Sequence, residues 1–315
     1  NYDFTGTNFS SGNLSSAELK GSTLTGANFT STTLSNVHYN DYSYCATGSV
    51  GSCEDTKVNS YTTNNQKVPA VAMDSSGNFV VVWQGEGNYD TYGIYAKKYN
   101  NSGVVQIPPG CGTTITNCSA STGEFLVNTT TNATQSSPVV AMTNNGNFVI
   151  AWSGNGTGDG AGVFAQRYNS DGTKPVTNGG EFLVNTYVSS GQSLPAIAMN
   201  NSNGQFVITW QSQNQPSPND SSLGIFAQRY NSDGSKPVTN GGELHVNTYT
   251  TGVQQNPSVS MDNNGSFVIA WESVNIAAVE NAYGIFAQRY NSDGSIPATN
   301  GGELHVNTHT TGQQK

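Results

Sequence analysis

The chain has 315 residues, with 11 Lys and Arg against 20 Asp and Glu, a formal net charge of −9 and only 10% charged side chains, where an average soluble domain carries about 25%. Cations this sparse exclude the electrostatic footprint of a nucleic-acid backbone or an anionic membrane surface, and 36 Gly in an Asn/Ser/Thr-rich background exclude an all-α protein. Apolar runs such as Phe79 to Trp83 fall far short of the roughly 20 residues that span a bilayer.

The sequence opens at Asn1 without an initiator Met or an apolar leader, and we expect any targeting segment to have been removed or to lie outside it. Residues 3–37 repeat with a period of five: Phe4, Phe9, Leu14, Leu19, Leu24, Phe29 and Leu34 are large and apolar, and small or β-branched residues sit two positions before the last six. Five matches neither the helical nor the strand period. It suits a square solenoid in which each pentapeptide forms one side. The segment resembles the pentapeptide-repeat family, which implies a right-handed quadrilateral β-helix over residues 1–39. With only Asp3, Glu18 and Lys20 charged, it lacks the acidic surface of a DNA mimic.

Residues 40–56 read as a linker carrying Cys45 and Cys53, and a second local pair, Cys111 and Cys118, lies further on. Four cysteines in Gly/Ser/Thr-rich loops predict two disulfides and an oxidising compartment. Zinc would call for tighter spacing and neighbouring His.

From residue 57 a longer repeat begins. Pro69, Pro138, Pro195 and Pro257 each open an apolar run; a Gly/Asn turn follows, then a second run ending at Trp83, Trp152, Trp210 or Trp271. Next come GIYAKKY, GVFAQRY and two copies of GIFAQRY, then GEFLVNT twice and GELHVNT twice. Turn chemistry between β-branched runs predicts hairpins, so each repeat reads as four antiparallel strands. Strand-ending Trp residues in a fixed register are expected in the core rather than on a sugar-stacking surface. Four-stranded units at this period suit a β-propeller or propeller-like array over residues 57–315. These repeats also resemble tandem units of very large secreted bacterial surface proteins, which implies a place outside the cell.

The fold class is therefore all-β: a short pentapeptide β-helix plus four blade-like units. The VN-containing strand occurs five times and the others four. Three readings of the surplus compete: an array that continues in a longer parent chain, first and last copies that share closure of one ring, or a spare strand, around Lys57, Val58 and Asn59 or around Glu303, Leu304, His305, Val306 and Asn307, that completes another copy by strand addition. The favoured function is accordingly a self-assembling cell-surface or filament subunit, extracellular, with its own copies as partner and no catalysis. The alternative is a surface adhesin or carbohydrate-binding propeller acting through the loops between second and third strands, where Tyr89, Tyr92 and Tyr283 are the aromatic candidates; a glycosidase ranks third. His245 and His305 occupy a position that is Leu in other repeats and read as structural. The recurring Arg167, Arg229, Arg289 and Lys98, with Glu124, Glu181, Glu243 and Glu303, are expected to form cross-strand ion pairs. No cofactor is expected. Calcium at Asp171, Asp233 or Asp293 is the lesser reading of the NSDG turns, since a hairpin that needs Asp-Gly accounts for those residues.

Overall fold

The computed structural model describes residues 4, 6–15, 17, 19, 27–33, 57–131, 133–215, 222–274, 283–299 and 301–308. The chain divides into two compact units, Asn1–Lys57 and Val58–Lys315, and the described residues of both are free of helix.

In the N-terminal unit, parallel bridges join Asn8 to Asn28 and Asn13 to Thr33. Partners 20 residues apart mean that four pentapeptides complete one coil. Large residues of the described pentapeptides pack together: Phe4, Leu14 and Phe29, with the small Ala17, surround buried Leu19, and Phe9 stacks on Phe29 with centroids 5.1 Å apart. The Asn8, Asn13 and Asn28 side chains accept hydrogen bonds from the backbone N–H two residues on, which turns the corner between sides.

The C-terminal unit is a series of antiparallel sheets. The first comprises β1 (Gln66–Met73), β2 (Phe79–Gly85) and β3 (Gly93–Tyr99), with β4 (Val105–Gln106) and β5 (Phe125–Leu126) both paired to β3. The second is β6 (Gln135–Met142), β7 (Phe148–Gly156), β8 (Asp159–Tyr168) and β9 (Phe182–Leu183). The third is β10 (Gln192–Met199), β11 (Phe206–Gln213), β12 (Leu223–Tyr230) and β13 (Leu244–His245). The fourth is β14 (Gln254–Met261), β15 (Phe267–Val274), β16 (Tyr283–Tyr290) and β17 (Leu304–His305). Neighbouring sheets meet through their first strands, β1 against β6, β6 against β10 and β10 against β14.

Period-2 alternation explains the continuous apolar runs. In β7, Phe148, Ile150 and Trp152 face the first sheet, whereas Val149 and Ala151 face the third. A strand buried on both faces has no polar side to show. The core is thus a set of inter-sheet layers, and Trp152, Trp210 and Trp271 are all at most 2% exposed within them, each contributing on the order of 2–3 kcal/mol by burial. A cross-strand aromatic pair recurs in every sheet: Phe79 on Tyr99, Phe148 on Tyr168, Phe206 on Tyr230 and Phe267 on Tyr290, all at 4.8 Å.

Every first strand also bulges just before its proline, with a register shift at Lys67/Ala70 and at the three equivalent places. Proline cannot donate to the ladder, and the bulge takes it out of register. The residue before it adopts the left-handed region: Val68, Ser137, Leu194 and Asn256 have φ of 52°, 54°, 51° and 54°. Its N–H is then free to bond sideways. Ser137 N–H donates to Gln84 Oε1 of the preceding sheet at 2.9 Å, and Asn256 N–H to Gln211 Oε1 at 3.2 Å. At the junction between second and third sheets the matching side chain is Ser153, whose buried Oγ has no hydrogen-bond partner.

Candidate functional site

Antiparallel order places the connections at two opposite ends of the sheets. One end carries the turns after the first and third strands. The other carries the variable loops between second and third strands together with the VNT segments that lead into the next first strand. Each end has its own repeated polar machinery.

At the variable-loop end of the first sheet, Asp90 lies in the loop before β3 and is 6% exposed. Its Oδ2 accepts from Asn128 Nδ2 at 2.7 Å and its Oδ1 from Tyr92 N–H at 3.0 Å. Asn128 Nδ2 also donates to Thr130 O and to Gln135 Oε1 of the second sheet, while its Oδ1 accepts from Ile94 N–H at 2.8 Å. The Tyr95 hydroxyl donates to Asp90 O at 2.7 Å and accepts from Asp90 N–H at 2.9 Å; burial pushes this phenol up to about 12, so it stays protonated at neutral pH. The second sheet repeats the motif: Asn185 Nδ2 donates to Asp159 Oδ2 at 2.8 Å and reaches Gln192 Oε1, and Asn185 Oδ1 accepts from Val163 N–H. In the third and fourth sheets the same Asn, Asn247 and Asn307, accepts from Ile225 N–H and Ile285 N–H.

This network fixes a loop that exposes an aromatic ring. Tyr92 is 56% exposed, yet its backbone is pinned on both sides, since its N–H bonds Asp90 and its carbonyl accepts from Gln135 N–H at 2.9 Å. Tyr89 is half-buried against Trp83, Tyr95 and Leu126. Tyr283 opens β16 opposite Val274 and is also half-buried. Glu86 adds a polar neighbour in the same loop: its carboxylate accepts from Asn64 Nδ2 at 2.5 Å and its carbonyl from Gln66 Nε2 at 2.8 Å. Gln66 in turn accepts from Trp83 Nε1.

The opposite end holds the recurring arginines and Lys98, and the expected ion pairs are replaced by bonds between sheets. Arg167 donates to Ser232 O at 2.7 Å and Asp233 O at 2.6 Å in the next sheet's NSDG turn; Arg229 does the same to Ser292 O at 2.5 Å and Asp293 O at 2.6 Å. Lys98 reaches Ser170 O likewise. The glutamates work in the other direction: Glu124 accepts from Ser60 N–H, Glu181 from Thr129 N–H, Glu243 from Thr186 N–H and Glu303 from Thr248 N–H. Arg and Glu therefore each clasp a neighbouring sheet's backbone rather than one another.

The calcium candidates serve the same turns. Asp233 Oδ1 accepts from Ser235 N–H and Oγ, Asp293 Oδ1 from Ser295 N–H and Oγ, and Asp171 Oδ1 from Thr173 N–H and Oγ1. Bonds from Ser235 and Ser295 hold the Asp233 and Asp293 carboxyls below their ordinary value. Among the described residues no three His, Cys, Asp or Glu side chains converge on a point where a metal could sit.

The assembly candidates are occupied within their own unit. Leu304 and His305 form β17 and pair with Ala287 and Phe286, and the His305 ring stacks on Phe286 at 4.8 Å. Asn307 bonds Ile285 and Glu303 bonds Thr248. Lys57, Val58 and Asn59 are not in a strand; Val58 O accepts from Lys97 Nζ at 2.6 Å. His245 packs on Phe226. Cys111 and Cys118 form the expected disulfide, Cα atoms 5.1 Å apart; Cys45 and Cys53 lie outside the described residues.

Residues 3–38 match the pentapeptide-repeat model in eight copies. No curated protein is similar to the chain in sequence. Solved structures resembling it include a GH43 endo-arabinanase from Bacillus licheniformis (14% identity, 76% of this chain and 79% of that one, TM-score 0.36). A Penicillium chrysogenum α-L-arabinanase complexed with arabinobiose shows 11% identity, coverage of 78% and 68%, and a TM-score of 0.49. A Fusarium graminearum GH93 α-L-arabinofuranosidase shows 11%, 76% and 66%, and 0.45. These three are glycoside hydrolases by name, and at 11–14% identity the likeness is one of all-β architecture only. The expectation of a self-assembling subunit built on a spare strand is corrected, because Leu304 and His305 pair with β16 inside the fourth sheet, and the expectation of a chain without catalysis is withdrawn with it.

Sequence reasoning missed Asp90 and Asp159. Their signal was present: each lies three residues before the glycine that opens the repeated third-strand motif, Gly93 and Gly162. The third and fourth repeats have Ser221 and Asn281 at that place, so the acid does not recur through the whole array.

Proposed function

We propose that Val58–Lys315 is a secreted carbohydrate-binding module of propeller-like arrangement, acting through the variable-loop end of its sheets. The observation that carries this reading is Tyr92, an exposed ring on a backbone held from both sides by the Asp90–Asn128–Gln135 network. A flat ring in a fixed orientation stacks on a sugar face at little entropic cost, and Glu86, in the same loop, is the polar side chain offered to sugar hydroxyls. Tyr89 and Tyr283 are secondary contacts, with Tyr89 shaping the base of the loop. The Cys111–Cys118 disulfide agrees with an extracellular setting, and no helix among the described residues is long and apolar enough to cross a membrane.

The test is a panel of plant and microbial polysaccharides, arabinan included, read for retention of the chain and for release of reducing ends. Binding that Tyr92→Ala lowers at least tenfold, with the melting temperature unchanged, supports the proposal. Retention of no glycan, or retention indifferent to Tyr92→Ala, overturns it. Released reducing ends would extend the module to a hydrolase.

A further inference from the structure

The first repeat differs from the other three by an insertion between its third and fourth strands, Pro108 to Cys118, which follows the Asn100–Gly103 turn standing where the others have NSDG. This insertion folds back under its disulfide. Cys111 N–H bonds Pro108 O, Ile115 N–H bonds Gly110 O, and both cysteines are buried in the layer between the first and second sheets. Between the insertion and the second sheet's turn lies an apolar cavity of about 310 Å³. Pro108, Pro109 and Ile115 form one wall, Phe125 and Leu126 the back, and the Tyr168 ring a side. That ring is held firmly, stacked on Phe148 at 4.8 Å and tilted against Phe125 at 5.5 Å. Lys174, exposed, belongs to the same lining.

The geometry points to a second binding site, distinct from the variable-loop end, that takes a small aromatic carboxylate. Proline, isoleucine and aromatic walls suit a planar ring, and the lining is apolar enough that a sugar would strand its hydroxyls unpaired. The single cation in the lining, Lys174, selects an anionic group on the ring. The corresponding positions of later repeats are Lys236 and Ile296, but neither repeat has the insertion that makes the wall. The Tyr168 hydroxyl is buried without a partner, and so is that of Tyr230, its counterpart in the third sheet; the assignment therefore rests on the walls and the lysine.

The experiment is a titration of the full chain with cinnamate and, separately, with uncharged cinnamamide, followed by ligand-observed NMR. Cinnamate should bind with a submillimolar to low-millimolar constant. Lys174→Gln should weaken cinnamate about two- to fivefold, the range of an exposed ion pair, and leave cinnamamide unchanged. Ile115→Trp, which fills the cavity, should abolish binding of both while the melting temperature and the glycan retention of Tyr92 are preserved. Should Ile115→Trp fail to fold, Thr114→Tyr fills the same mouth from an exposed position. Absence of cinnamate binding, or binding that neither filling variant reduces, overturns the site, and equal loss of both ligands in Lys174→Gln overturns the role of the lysine.

Discussion

Replacing Arg229 by Ala isolates the clasp that joins the third sheet to the fourth. The side chain is 8% exposed and donates two short bonds, to Ser292 O at 2.5 Å and Asp293 O at 2.6 Å, with a third, longer one to Asn240 O at 3.3 Å. Hydrogen bonds from a charged donor contribute about 1.5–3 kcal/mol each. Ser292 and Asp293 are exposed, so their carbonyls regain water once the arginine is gone, and the lower half of that range applies. Two such bonds give a loss of about 3 kcal/mol. Arg289 holds the same register position in the fourth sheet, but its guanidinium bonds no turn among the described residues and it is exposed. Arg289→Ala should therefore change stability by less than about 0.5 kcal/mol. Equilibrium urea unfolding, followed by tryptophan fluorescence, compares the two variants within one protein. Equal losses in both, or a loss below about 1 kcal/mol for Arg229→Ala, would refute the reasoning that the repeated arginine acts between sheets.

Three further predictions follow from the same structure. Ser153→Gln supplies the side chain that Gln84 and Gln211 provide elsewhere, and by bonding the Leu194 N–H it should raise stability by about 0.5–1.5 kcal/mol; a fall in melting temperature counts against it. Bonds from Ser235 and Ser295 hold the Asp233 and Asp293 carboxyls below the ordinary aspartate value, so their contribution is present above that value and lost as pH falls through their folded ones. The double variant Asp233→Asn/Asp293→Asn, which keeps the accepting oxygen, should accordingly lose less melting temperature between pH 7 and pH 3 than the parent, and an identical loss contradicts this. Removing the disulfide by Cys111→Ser/Cys118→Ser opens a loop with a sequence separation of 7, worth roughly 2.5 kcal/mol by loop closure. Hydrogen exchange should rise first around Gly110 to Ser119, and uniform exchange across all four sheets would argue otherwise.

Much of this architecture is legible in the residues because local chemistry decides it. Phe148 to Trp152 alternates large and small side chains and can only be a strand covered on both faces; Asn144-Asn145-Gly146 can only be its turn. The five-residue period likewise shows its solenoid, and the bridges 20 residues apart fit it. What a linear reading misses is direction. Arg229 and Glu243 recur at fixed intervals, and a repeat viewed singly pairs them, whereas in the fold one reaches forward to Ser292 and the other backward to Thr186. The surplus VN copy misleads for the same reason. Val58 to Ser60 is not an unpaired strand but the stretch that Glu124 and Lys97 hold in place. Asp90 escaped notice because its partner Asn128 is far along the chain, and Asn128 in turn bonds Gln135 of the next sheet.

The separation of the two ends has an engineering consequence. The arginine clasps sit at one end, where the NSDG turns tolerate little change in length without losing the arginine's carbonyls. The loops at the other end run to 9, 9, 13 and 12 residues between the Trp and the third-strand Gly and are anchored by one Asn each, through a bond to the backbone of the third strand. Changes in loop sequence therefore leave the arginine joints intact, and loops grafted before Gly162 or Gly224 should be tolerated with little change in stability.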